Sequence, residues 1–332
     1  MRAALLRTGL YGLSIPYGMA MMLRNILYDN RLLRISEPDV PLISVGNLTL
    51  GGTGKTPFVA WLSQFLHTQG RHVGLVSRGY GRVGEHNDEF RELALRLPDV
   101  PHEQSPHRLS ACRRLLARND LDCIILDDAF QHRRIDRRLD IVLVDALEPF
   151  GFDYLFPRGM LREPTFGLRR ADIVLLSRAD LIEPAERIWL REKIATIAPN
   201  AIYGEIAHRP ESLAAFPAPI LHQPLEILKG QRILAFCGIG NPLAFARTLE
   251  ELGVILADLI PFPDHHRFTL LDYHQILEKA KSTKAEMLVA TMKDLVKIKL
   301  PALEKLPLRA LTVGITFLEG ESAVRHRILD AV

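Results

Sequence analysis

Short apolar runs alternate with helix-like stretches along most of this chain. The runs PLISVGN (41–47), RHVGLVSRGY (71–80), DCIILDD (122–128), LDIVLVDA (139–146) and ADIVLLSR (171–178) are rich in Val, Ile and Leu. Continuous apolar runs of this length suit strands buried on both faces. Their alternation with helices predicts a parallel α/β sheet. Several end in Asp, Ser or Gly, at the carboxyl ends where such sheets bind ligands. A second series follows: RILAFCGIG (232–240), VILADLIPF (254–262), EMLVATMKD (286–294) and RALTVGITF (309–317). Between the two series, residues 207–230 hold Pro210, Pro217, Pro219 and Pro224 and little periodicity. They are expected to connect two domains.

The amino terminus follows a different pattern. Ile15, Met19, Met22, Leu23, Ile26 and Leu27 recur at the three- and four-residue steps of one helix face. Pro16 predicts a break, with a short helix before it and a longer one after. Two readings stand: a helix packed on the core, or an interfacial helix lying on an anionic membrane.

Charge sharpens that choice. The whole chain of 332 residues carries +3, yet residues 1–34 hold five arginines against one acid, Asp29, for +4. A chain so close to balance is not a general nucleic-acid coat, and no nucleic-acid partner is expected. At 48% hydrophobic and 24% charged, the sequence supports a folded core in more than one domain. Three scattered cysteines without a CxxC pair argue against a disulfide framework or zinc knuckle. No apolar run reaches the roughly 18 to 20 residues of a spanning helix.

The sharpest chemical signal is Thr49-Leu50-Gly51-Gly52-Thr53-Gly54-Lys55-Thr56, between a predicted strand and a predicted helix. Small residues there let backbone N–H groups close around phosphate oxygens at a helix N-terminus. Lys55 is expected on the β- and γ-phosphates and the Thr56 hydroxyl on Mg²⁺. Thr49 stands where such loops usually begin with glycine. About 70 residues on, Asp127 and Asp128 end a buried strand, as metal-side partners of the loop or as a helix cap. Together they predict a nucleoside-triphosphate and Mg²⁺ binder. SRAD (177–180) is only a distant echo of a guanine-reading motif, so ATP is the expected nucleotide.

Eight strings in order resemble one family. They are VGNLTLGGTGKTP (45–57), SRGYGR (77–82), NDEF (87–90), DDAFQHRR (127–134), RGMLREP (158–164), CGIGNP (237–242), FPDHHRF (262–268) and ATMKD (290–294). The family is the tetraacyldisaccharide 4'-kinases of lipid A synthesis. The resemblance implies transfer of the γ-phosphate of ATP to the 4'-hydroxyl of a tetraacyl-disaccharide 1-phosphate, giving lipid IVA. It implies a peripheral protein, expected to be a monomer, on the anionic cytoplasmic face of a bacterial inner membrane. The implied fold is a P-loop NTPase-type parallel sheet core with a smaller C-terminal α/β lobe, joined by a β-ribbon hinge. An N-terminal amphipathic membrane-associating helix (1–35) would precede the core (36–215) and the C-terminal lobe (216–332).

Carried over residue by residue, the resemblance puts the phosphate loop on 49–56 and the metal pair on Asp127 and Asp128. It makes Asp88 the catalytic acid–base group, His265 its partner, and Arg78, Arg108 and Arg162 the arginines near the substrate. Asn87, Phe90, Ala129 and Arg158 depart from the family pattern.

The residues by themselves say less. Asp88 reads as a loop acid, and His265-His266 beside Asp264 fits a metal site, a helix start or catalysis. Lys293-Asp294 could be functional or simply a charged strand end, and the arginines at 133, 134, 137 and 138, with Asp136 and Asp140, read as a solvated face from which Arg133 could still approach phosphate. Because 177 residues separate Asp88 from His265, the two are expected to meet only when one lobe closes on the other. Two rivals share the loop: a phosphotransferase or ligase with another small acceptor, and a nucleotide-switched ATPase or GTPase that binds a protein partner.

Overall fold

The structure is a computed structural model, and it describes residues 2–79, 87–216, 222–264, 266–298 and 306–332, with side chains from residue 7. In chain order the first elements are α1 (Arg2–Asp29), β1 (Leu42–Asn47), α2 (Lys55–Thr68), β2 (Val73–Ser77), α3 (Asp88–Arg96), β3 (His102–Gln104), α4 (Arg108–Leu116), β4 (Cys123–Asp127) and β5 (Leu139–Asp145). Then come β6 (Ile173–Ser177), α5 (Pro184–Ile197), β7 (Ile202–Phe216), β8 (Arg232–Cys237), α6 (Pro242–Glu251) and β9 (Ile255–Pro261). The chain ends with α7 (Leu270–Thr283), β10 (Met287–Thr291), α8 (Met292–Leu295), β11 (Leu308–Glu319) and α9 (Glu321–Leu329).

Two compact units emerge, and neither is continuous in sequence. The first comprises Met1–Tyr80, Asp99–His208 and Ile315–Val332. The second comprises Gly81–Pro98 and Arg209–Gly314. The sequence-based division at 215/216 therefore misses two exchanges. Helix α3 belongs to the second unit because Arg96 bonds Glu211 and the Val313 carbonyl, each at 2.8 Å, and Leu95 packs on the Phe236 cluster. Helix α9 belongs to the first. Phe317, just before it, meets Trp61 with ring centroids 5.0 Å apart, and Arg327 pairs with Asp172 at 2.7 Å. The proline-rich stretch does hold a change of unit, between His208 and Arg209, but as a regular strand and not an irregular connection. Strand β7 runs through its first half, where Leu213, Ala214 and Ala215 are buried.

In the first unit the strands run in the order β3-β2-β4-β1-β5-β6-β7. Every registered pair is parallel, and β1, β2, β4, β5 and β6 are buried along their whole length. That burial explains their unbroken apolar sequences. Because β1 lies between β4 and β5, the loop after β1 emerges beside the acidic end of β4. The second unit repeats the arrangement with β11-β10-β8-β9, again parallel.

Helix α1 is continuous through Pro16, so the expected break is absent. One backbone bond is lost there, while Ser14 and Gly18, on either side of the proline, are both buried against the protein. Gly18 allows this approach, since a β-carbon would lie 2.6 Å from Leu155 Cδ1. The buried face of α1 is polar and small: Ser14, Gly18, Asn25, with Tyr28. The apolar stripe points outward, with Ile15, Met19, Met22, Leu23 and Ile26 between 44% and 67% exposed. No described helix is long and apolar enough to cross a membrane.

A buried carboxylate anchors α1. Glu163 is wholly inaccessible and accepts from Asn25 Nδ2 at 2.8 Å, from Gln131 Nε2 at 3.0 Å and from Arg170 Nη2 at 2.8 and 2.9 Å. Of the nearby arginines, Arg134 and Arg138 are exposed as expected, whereas Arg133 and Arg137 depart from a solvated face. Arg133 bonds Asp29 and the Asn25 carbonyl, and Arg137 pairs with Asp140 at 3.0 Å, both carboxylate and guanidinium buried. Losing a buried acid strands its partners, so Glu163→Ala should lower stability by about 3 to 5 kcal/mol in urea denaturation. A loss below about 1 kcal/mol, the range of surface pairs, would contradict this anchoring role.

Candidate active site

Loop 49–56 is shaped by two glycines. Gly51 and Gly54 adopt φ of +109° and +79°, a region L side chains disfavour. Gly54 caps α2 without any side-chain bond, which leaves the helix N-terminus and its amide donors available to an anion. Asn47 Nδ2 donates to the Thr49 carbonyl at 2.9 Å and steadies the loop's entry. The RGMLREP segment runs alongside: Leu50 N bonds the Met160 carbonyl at 2.7 Å and Arg162 N bonds the Leu48 carbonyl at 2.8 Å.

That pairing delivers Arg162 to Asp128. Its Nη1 donates to both carboxylate oxygens, at 2.8 and 2.9 Å, while Lys55 Nζ lies 3.5 Å from Asp128 Oδ1. Arg108, at the start of α4, donates through Nη2 to the carbonyls of Asp127 and Asp128, at 2.8 and 2.6 Å. Burial opposes charge on Asp128, but Lys55, Arg162 and Arg108 outweigh it and hold the carboxyl at about 2. Asp128 is therefore ionised throughout the neutral range. Burial lowers Arg108 to about 10, which leaves it protonated there. Burial, then the surrounding arginines, lower His132 to about 4, so it stays neutral.

Of the three arginines expected near a substrate, two hold the acidic pair in place. The third, Arg78, is exposed just beyond β2, next to β4 in the sheet. Oxygen ligands from Thr56, Asp127 and Asp128 suit Mg²⁺, which binds through one or two carboxylates and completes its shell with phosphate and water.

Asp88 opens α3 in the second unit, behind an Asn87 cap that accepts from Phe90 N at 3.0 Å. His265 lies outside the described residues, but its neighbours Asp264 and His266 belong to that same unit. The 177 residues between Asp88 and His265 are thus not a separation between units, and the expectation that they meet only by lobe closure rested on sequence distance alone.

The sequence reading missed two side chains at the loop. Arg178, from the SRAD string, bonds Asp145 with two nitrogens and reaches the Gly52 carbonyl at 3.3 Å. His208, at the end of this unit's part of β7, bonds Ser177 Oγ at 3.2 Å, and its ring covers Gly54. Burial, then Arg178, lower His208 to about 4, so a neutral ring packs there. A β-carbon on Gly54 would collide with that ring at a strained φ. Gly54→Ala should weaken nucleotide binding at least about tenfold in titration calorimetry, because strain and collision each cost of order 1 kcal/mol or more. Adding His208→Ala should recover part of the loss; unchanged affinity in Gly54→Ala would contradict the geometry.

Comparison with known proteins supplies the reaction. The description "Tetraacyldisaccharide-1-P 4'-kinase" matches residues 6–332. A tetraacyldisaccharide 4'-kinase of Anaeromyxobacter dehalogenans (strain 2CP-C) is 38% identical over 300 residues, covering 85% of this chain and 79% of the relative. That of Syntrophus aciditrophicus (strain SB) is 36% identical over 342 residues, covering 96% and 91%. The crystal structure of LpxK from Aquifex aeolicus in complex with ATP superposes with a TM-score of 0.80 at 28% identity, covering 98% of this chain and 99% of that one. The chain belongs to the tetraacyldisaccharide-1-P 4'-kinase family, the ATP-dependent 4'-kinases of lipid A biosynthesis.

Proposed function

We propose that Asp88 is the base of this kinase and that loop 49–56, Asp127 and Asp128 hold ATP as its Mg²⁺ complex. The observation that carries the nucleotide half is the charge knot of Lys55, Asp128 and Arg162 beside an uncapped helix N-terminus. When bound, Mg²⁺ would supply positive charge that offsets the charge on the transferring group. Thr56 and the acidic pair would hold it. Lys55 meets the β- and γ-phosphates, exchanging part of its contact with Asp128 for them. Asp88 accepts the proton of the 4'-hydroxyl as that oxygen bonds the γ-phosphorus and the bond to the ADP oxygen breaks. His265 orients the carboxylate, and Arg78 approaches the acceptor's 1-phosphate.

The acceptor carries four acyl chains, and the outward stripe of α1 suits a lipid surface. The protein then lies as a monotopic monomer on the anionic cytoplasmic face of the inner membrane. The aromatic loop beside α1 extends the same surface: Phe152 and Phe156 are exposed, and Tyr154 meets Tyr11 edge-on at 6.0 Å. Aromatic side chains favour the bilayer interface.

Two outcomes test these readings. Asp88→Asn should lower kcat by about 100-fold or more with ATP affinity within about threefold, the range expected for loss of a general base; near-normal turnover removes Asp88 from the chemistry. Met19→Glu with Leu23→Glu should weaken binding to anionic vesicles at least about tenfold, since each buried apolar side chain is worth about 1.5 to 3 kcal/mol. Unchanged vesicle binding would assign the α1 stripe another role.

A further inference from the structure

Three strings that the phosphate loop does not use converge in the second unit. Asp294, from ATMKD, is fully buried in the first turn of α8, which directly follows β10. Its carboxylate accepts from Gly238 N of CGIGNP at 3.0 Å and from Thr291 Oγ1 at 2.6 Å. Gly238 in turn lies against the FPDHHRF string, where a β-carbon would be 3.1 Å from the Pro263 carbonyl and 3.2 Å from His266 Cβ. The anion is therefore fixed by Gly238, which follows β8, and by Thr291, which ends β10, and Asp294 is a buried helix residue and not a charged strand end.

Its counter-charge is Lys297, one turn further on. Lys297 Nζ lies 3.4 Å from Asp294 Oδ1 and 3.9 Å from Asp88 Oδ2, and the lysine side chain is buried while that of Asp88 is one-third exposed. The ammonium thus sits between one carboxylate locked in the interior and one that reaches solvent. Burial of the lysine side chain and its contact with the fixed Asp294 restrict the ammonium, whereas the Asp88 carboxylate is one-third exposed.

We infer that Lys297, anchored by Asp294, is a positioning residue that holds the Asp88 carboxylate in its reactive place. This rests on Asp88 being the base. When Asp88 takes the acceptor's proton it loses its charge, and Asp294 then remains as the partner of the buried ammonium. Proton transfer therefore leaves no unpaired ion in the interior, where one would be costly. Neither Asp294 nor Lys297 needs to touch the substrate for this.

The test is a double-mutant cycle on the full-length protein, with saturating ATP and vesicle-borne acylated disaccharide phosphate. Lys297→Met should lower kcat by about 10- to 100-fold, the scale of a small misplacement of a reacting group, while KM for ATP stays within about twofold. Lys297→Arg should recover part of kcat. In an Asp88→Asn background, Lys297→Met should cause no further loss, because the residue it positions no longer acts. Equal fold losses in both backgrounds, or unchanged kcat in Lys297→Met, overturn the inference while leaving Asp88 as base. Wild-type kcat in Asp88→Asn alone overturns the base assignment and the inference with it. If Lys297→Met does not fold, Lys297→Arg carries the cycle: a smaller loss that vanishes with Asp88→Asn supports the inference, and any other result overturns it.

Discussion

The carboxylate of Asp128 is the contact on which the nucleotide site depends. Its charge costs free energy to bury and is kept only because Lys55 and Arg162 face it and Arg108 secures the backbone beneath it. Each partner comes from a different part of the first unit: the phosphate loop, the segment at 158–164, and α4. Packing this network around one anion fixes the loop before any nucleotide arrives. Such preorganisation is what electrostatic catalysis of phosphoryl transfer requires, because little covalent work falls to the protein.

One residue beyond Arg162, Glu163 repeats the same logic in the interior and ties α1 to it. The two neighbours divide the labour. Arg162 faces the acidic end of β4, and Glu163 faces inward to Asn25, Gln131 and Arg170. A helix anchored by polar bonds on its buried face is left free to turn its apolar residues outward. That inversion is unusual for a helix on a water-soluble core. It fits a family whose acceptor is an acylated disaccharide.

Much of this was legible in the sequence, for physical reasons. The strands of the first unit are buried on both faces, so their apolar runs are unbroken, and the phosphate loop obeys local backbone rules. Long-range exchanges were not legible. Nothing in the composition of 81–98 announces that α3 packs with the second unit through Arg96, or that residues 315–332 return to the first through Phe317 and Arg327. Pro16 predicted a helix break from local chemistry, and tertiary packing at Ser14 and Gly18 overrode it. The arginines at 133 and 137 read as surface because spacing shows neither that Arg133 meets Asp29, 104 residues away, nor that the Arg137–Asp140 pair is buried. Lys297 had no signal beyond following ATMKD by three residues.

In a kinase of this family the phosphate loop serves transfer to a lipid hydroxyl and not to water. Incubating the protein with γ-labelled ATP, Mg²⁺ and vesicles carrying the tetraacyl-disaccharide 1-phosphate tests it most directly. Label should appear in the glycolipid, with little free phosphate. Label released only as free phosphate, with the acceptor unmodified, would contradict it.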